Sequence, residues 1–180
     1  MKCARSILLA LCLLAVGCSC AVGAIVPGEG KMLALLDSNV GGTEYILSVR
    51  FVSLKGGSGK QVFEIRCAAC ARHVLLHEET LDYPISIYRT SDDSPLFFTL
   101  WTTGSGYRIR VFYIDSNMAR SVLDVGATAP PQVFRDHSNH LLVSIVNRFR
   151  SSQSGSIRSS PSTVYRWNGT VFQLVTEQQR

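Results

Sequence analysis

Beyond its leader the chain lacks any long uninterrupted apolar run; its hydrophobic segments are short and broken by charge, which excludes a membrane-spanning helix there. Helical periodicity is nearly missing too. Only residues 67–79, CAACARHVLLHEE, let a helix compete, through their alanines and the Glu78, Glu79 pair. Val74, Leu75 and Leu76 in the same segment suit a buried strand, so it reads as strand or irregular. There is no GxSxG elbow, so serines with Asp136 and His137 or His140 do not make a hydrolase signature. The GGSGK run at 56–60 lacks the first glycine of a phosphate loop, and Gln61 stands where Ser or Thr is required, which leaves a hairpin turn. Lysine is absent from Gly104 onward, where all nine cationic side chains are arginines.

Lys2 and Arg5 precede an uncharged run over 7–16 and then small residues, the layout of a secretory signal peptide over 1–24. Two processing routes are open. Ala15, Val16, Gly17 and Cys18 resemble a lipobox, in which Cys18 becomes the lipidated first residue; Val22 and Ala24 instead suit ordinary cleavage after Ala24. Residues 25–30 then read as a tether, and 31–180 as one domain of a size that supports a substantial core. Without Lys2 and Arg5 the formal charge falls from +5 to +3, too small an excess to indicate nucleic acid.

What the mature region does contain is strand after strand. Residues 96–115, LFFTLWTTGSGYRIRVFYID, form two arms joined at Gly104, Ser105 and Gly106. In the second arm Tyr107, Ile109, Val111 and Tyr113 alternate with Arg108, Arg110 and Phe112, the period of a strand with one buried and one mostly wet face. A glycine on each side of the bend provides for positive φ. Similar glycine-bounded hairpins fall at 45–65 and 141–167, a spacing of roughly 45 to 50 residues that matches one four-stranded propeller blade. Further strands are expected at 32–36, 61–67, 85–89 and 118–125. Near the end, TVYRWNGTVFQLV places Asn168 and Gly169 between apolar arms, which predicts a type I′ hairpin fastened by Tyr165 and Trp167 against Val171, Phe172 and Leu174.

LWTTGSGYRIRVFYID, PPQVFRDHSNHLLVSIVN and VYRWNGTVFQLV together resemble the repeats of exported bacterial FG-GAP or VCBS-type β-propellers. The resemblance covers 96–175 and implies blade-like antiparallel sheets. The acidic loop that holds calcium in such proteins corresponds here to Arg135, Asp136, His137, Ser138, Asn139 and His140, with one carboxylate, too few for a hard cation. The expected fold is all-β, propeller-like or a partial propeller, with a β-sandwich as the alternative, behind an N-terminal signal helix. Three blades would be one fewer than the usual minimum.

Cys67 and Cys70, followed by His73 and His77, hold groups that bind zinc, but at a spacing unlike a zinc finger; export favours a disulfide instead. No metal or cofactor is expected. The arginine-rich second half suits an anionic partner through paired hydrogen bonds, against the plainer reading of Arg108, Arg110, Arg148 and Arg166 as solvated strand faces. The loop RSSQSGSIRSSPS over 150–162 is longer than a hairpin needs, which marks Arg148, Arg150 and Arg158 as candidate binding residues. The sequence thus reads as an exported, noncatalytic interaction protein of the bacterial envelope, periplasmic or anchored to the outer membrane as a lipoprotein. The alternative is a periplasmic enzyme, either a thiol oxidoreductase using Cys67 and Cys70 or a hydrolase.

Overall fold

The computed structural model describes residues 30–54, 58–116, 118–150, 157–159 and 162–175. The leader, its expected helix and Cys18 lie outside the described residues. Those described contain fourteen strands and no helix. The first sheet holds β1 (Lys31–Val40), β2 (Thr43–Ser53), β3 (Gly59–Cys67) and β4 (Val74–Thr80) in chain order. The second holds β5 (Tyr83–Arg89), β6 (Leu96–Thr102), β7 (Tyr107–Ile114) and β8 (Ala119–Ala127), again in order. In the third, β9 (Gln132–Arg135), β10 (Leu141–Ile145), β13 (Thr163–Trp167) and β14 (Phe172–Val175) are neighbours. The ribbon β11 (Arg148–Arg150) and β12 (Ile157–Ser159) is set between β10 and β13. The fold is therefore all-β: three blade-like antiparallel meanders, as the glycine-bounded hairpins suggest.

The second sheet lies between the other two, and this decides its burial. One of its faces places Phe97, Trp101 and Phe112 against Tyr45, Leu47, Val49, Phe63 and Ile65 of the first sheet. Its other face places Leu96, Phe98, Ile109 and Val111 against Leu141, Val143, Ile145 and Phe172 of the third. Phe63 meets Trp101 edge-on at 5.7 Å and Phe112 at 5.2 Å, so aromatic packing ties the first two sheets together. Burying each such ring contributes about 1.5–3 kcal/mol.

Four expectations need correction. The mostly wet face expected of β7 is covered over most of its length: Phe112 is fully buried and Arg110 is 8% exposed, because a sheet covers each side, and Arg108 alone of the three keeps a 40% exposed side chain. Of the two glycines at the central bend only Gly104 takes positive φ, at 83°; Gly106 is required because a Cβ there would stand 2.7 Å from the Ala127 carbonyl oxygen. The strand expected over 141–149 breaks at Val146 and Asn147, after which β11 pairs with β12 and not with β13. The last hairpin is wider than a two-residue turn, since Trp167 pairs with Phe172 and only Gly169 has positive φ. There the Asn168 side chain accepts from the amides of Thr170 and Val171, both at 2.9 Å, and this local capping replaces the type I′ geometry.

Candidate functional site

Antiparallel meanders send alternate turns to opposite ends of the molecule. The β5–β6 and β9–β10 turns share one end, and between them opens a groove of about 400 Å³ lined by Ser91, Asp93, Arg135, Asn139, His140 and Trp167 among others. A second hollow of about 330 Å³, lined by Tyr88, Thr90, Val133 and Phe134, shares Arg135 and Leu141 with the first, so the two form one trough.

One wall is the β9–β10 turn. Asp136 Oδ1 accepts from the amides of Ser138 at 2.9 Å and His140 at 2.8 Å, and its Oδ2 accepts from His140 Nδ1 at 3.0 Å. The His140 amide, with further help from its ring, holds the Asp136 carboxyl below its ordinary pKa. Asn139 completes the turn at φ 62°, a left-handed conformation that asparagine tolerates. Arg135 Nη1 donates to the Asn139 carbonyl at 2.9 Å, which holds the guanidinium against its own turn at the edge of the trough. The single carboxylate of this loop is thus spent on the loop itself, and the described residues contain no group of three or more side chains able to hold a metal ion.

The facing wall is locked by Arg89. Its guanidinium donates to the carbonyls of Asp92 and Ser94 in the β5–β6 turn, and to Ser38 Oγ at 2.5 Å and the Asn39 carbonyl at 3.1 Å on β1. Five donors so engaged make Arg89 a brace and remove it as a ligand group. Thr90 Oγ1 next to it is buried without a hydrogen-bond partner among the described residues. At the base, Tyr88 stacks on Phe98 at 5.4 Å, and burial raises its hydroxyl pKa. Trp167 stacks on Tyr113 at 6.2 Å and leans on Phe172 at 5.3 Å, so its indole is fixed in place.

The residues singled out from sequence fall elsewhere. Cys67 and Cys70 are joined by a disulfide, with Cα atoms 5.5 Å apart and exposures of 0% and 8%. The Cys67 amide donates to the His73 carbonyl at 2.9 Å and closes the loop around the pair. His77 pairs with Glu64 across β3 and β4, its Nδ1 2.9 Å from Glu64 Oε1, on the sheet face away from Cys67. His73 stays beside the cysteines, its Nδ1 3.2 Å from the Cys67 carbonyl oxygen, but His77 does not, so the four groups do not converge. Burial acts to raise the Glu64 pKa, but hydrogen bonds from His77 and Arg50 and the charges of Arg66 and Arg50 outweigh it, and the carboxyl sits below its ordinary value.

Arg108 and Arg110 are not free cations. Arg108 binds Asp124 through two parallel bonds of 2.6 and 2.7 Å and reaches Asp82 at 3.2 Å. Arg110 bonds to Glu78 of the first sheet. Arg148 and Arg150 pair in register with Ser159 and Ile157, and Arg158 pairs with Phe149, so Arg158 occupies the alternate register position of the ribbon. That ribbon leaves the far end of β10, opposite the trough. Residues 151–156 of its loop lie outside the described residues. The trough was missed because its walls are about forty residues apart in sequence, and the turn residues of each hairpin carry no sign that the hairpins face one another. Comparison with protein-family models, with curated proteins and with solved structures returns no match for this chain.

Proposed function

We propose that the chain is an exported, noncatalytic β-domain of the bacterial cell envelope that binds an anionic partner through the trough between its second and third sheets. The observation that carries this is the state of Arg135, which lines both parts of the trough and has a backbone carbonyl, but no carboxylate, as partner among the described residues. An arginine held in place and left without a counter-ion suits a carboxylate or phosphate from outside. The blade-like scaffold fits the resemblance to FG-GAP or VCBS-type proteins, whose rigid sheets leave binding to the turns. Export rests on the leader and places the protein in the periplasm, or on the outer membrane if Cys18 carries lipid. The ribbon with Arg148, Arg150 and Arg158 is a second contact for the same kind of partner. Nucleic acid does not fit a charge of +3 in the mature chain, left after Lys2 and Arg5 are removed from +5.

The rival reading, a thiol oxidoreductase, requires an exposed, low-pKa thiol, and the burial of Cys67 and Cys70 weighs against it. A hydrolase would need a nucleophile at His140 Nε2, the ring nitrogen that Asp136 leaves open, and none among the described residues is bonded there. The test is retention of envelope polymers on the immobilised mature chain at low and high salt. Wild type should hold an anionic component that salt releases, and Arg135→Gln should not. Equal retention by the two proteins would refute the assignment of the trough.

A further inference from the structure

The chemistry around Arg135 narrows the class of ligand. Its guanidinium has five donors, and a single Nη1 bond to Asn139 is the use recorded among the described residues. The remaining fork matches the two oxygens of a carboxylate. Around it stand acceptors. A carboxylate can only accept when ionised, so the bond from His140 Nδ1 to Asp136 puts a proton on Nδ1 and fixes the ring with Nε2 directed away from Asp136, where the uncharged tautomer offers an acceptor. Asp93 lines the same groove with no hydrogen-bond partner among the described residues.

One cation amid acceptors that seek hydroxyl protons, beside a fixed indole, describes a ligand with one carboxylate, several hydroxyls and an apolar ring face. We infer that the trough takes an acidic saccharide of the uronate type, its carboxylate on Arg135, its hydroxyls on His140 and Asp93, and a ring face against Trp167. This rests on the trough being the binding site proposed above. Asp93 disfavours a bare sulfate, whose oxygens only accept, and its negative charge repels the multiple charge of a phosphate more than a single carboxylate. An acidic peptide is the competing occupant, but it brings one N–H and one C=O per residue in alternation, whereas each sugar hydroxyl both donates and accepts.

The experiment is a titration of the full mature chain with oligogalacturonate, with a neutral oligosaccharide of equal length, and with a glutamate-containing peptide. It is followed by calorimetry and by tryptophan emission. The chain has two tryptophans: Trp101 is 1% exposed and reports folding, and Trp167 lines the trough and reports occupancy. Oligogalacturonate should bind and alter the Trp167 emission, with the neutral oligomer at least about tenfold weaker, the value of one lost charge-assisted contact. Arg135→Gln should remove that preference while leaving the buried Trp101 emission unchanged, and Arg135→Lys should restore part of it. Equal binding of acidic and neutral oligomers overturns the inference, as does oligogalacturonate binding that Arg135→Gln retains. If the peptide binds in place of the saccharide and Arg135→Gln abolishes it, the saccharide assignment fails and the trough stands. If no anionic ligand responds to Arg135→Gln, both fail.

Discussion

Arg110 in the middle of β7 is bonded to Glu78 on β4, and this pair joins the first two sheets well away from the Arg89 contacts to β1. The guanidinium also lies 4.9 Å from the centre of the Phe112 ring and 3.5 Å from an Asp124 oxygen, so one side chain serves ion pairing and apolar contact together. The Arg110 side chain is 10% exposed and that of Glu78 34%. Replacing Arg110 by Ala should cost about 2 kcal/mol, below the 3–5 typical of a fully buried pair because Glu78 can regain water. Arg110→Met, which keeps the stem, should recover much of that. Urea unfolding of the two variants checks it, and equal losses would show that charge and not packing dominates.

The first sheet should be sensitive to acid through Glu64. Because its folded pKa is lowered, the unfolded chain binds more protons in the window between the two values. Its contribution is therefore complete above the unfolded pKa of about 4.3 and fades as pH falls through the lower folded value. Thermal unfolding from about pH 6 to pH 2 should give a wild-type midpoint that drops more steeply than that of Glu64→Gln. Parallel curves would mean that other carboxylates carry the effect.

The Cys67–Cys70 disulfide closes a loop too short to restrict the unfolded chain much. Its removal by a double serine substitution should cost about 2 kcal/mol, the low side of the usual range. Since both residues are buried, mild reductant should leave the folded protein oxidised. Rapid thiol labelling under native conditions would bring the redox reading back.

On the ribbon, replacing Arg150 and Arg158 with Ala should hardly move the thermal midpoint, since loop charges contribute little to folding. If this ribbon is a second contact, binding of an acidic polymer at low ionic strength should weaken and lose part of its dependence on salt. Unaltered binding would leave the trough as the sole anionic site.

The local grammar of this chain was enough to determine its class and most of its hairpins. Alternation in the arm from Tyr107 to Tyr113, the glycines at 104 and 106, and the aromatic arms around Asn168 act over a few residues, where period and turn chemistry leave few choices. The disulfide was legible for the same reason, since a spacing of three residues keeps Cys67 and Cys70 near one another in most conformations.

Tertiary structure alone decided what covers each face. Alternation marks two sides of β7 but cannot say how far each is covered; the first and third sheets decide that, and they turn Arg110 from an apparent surface charge into an internal tie to Glu78, while Arg108 stays 40% exposed in its pairs with Asp82 and Asp124. The trough has the same origin. Arg135, His140 and Trp167 belong to the third sheet, Asp93 and Thr90 to the second, and the packing of Leu141, Val143 and Ile145 on Leu96, Phe98 and Val111 brings those two turns to one place. Hydrophobic packing has no sequence address: it fixes which faces meet only once whole sheets exist, so the chemistry gathered at their edge is a property of the assembled layers.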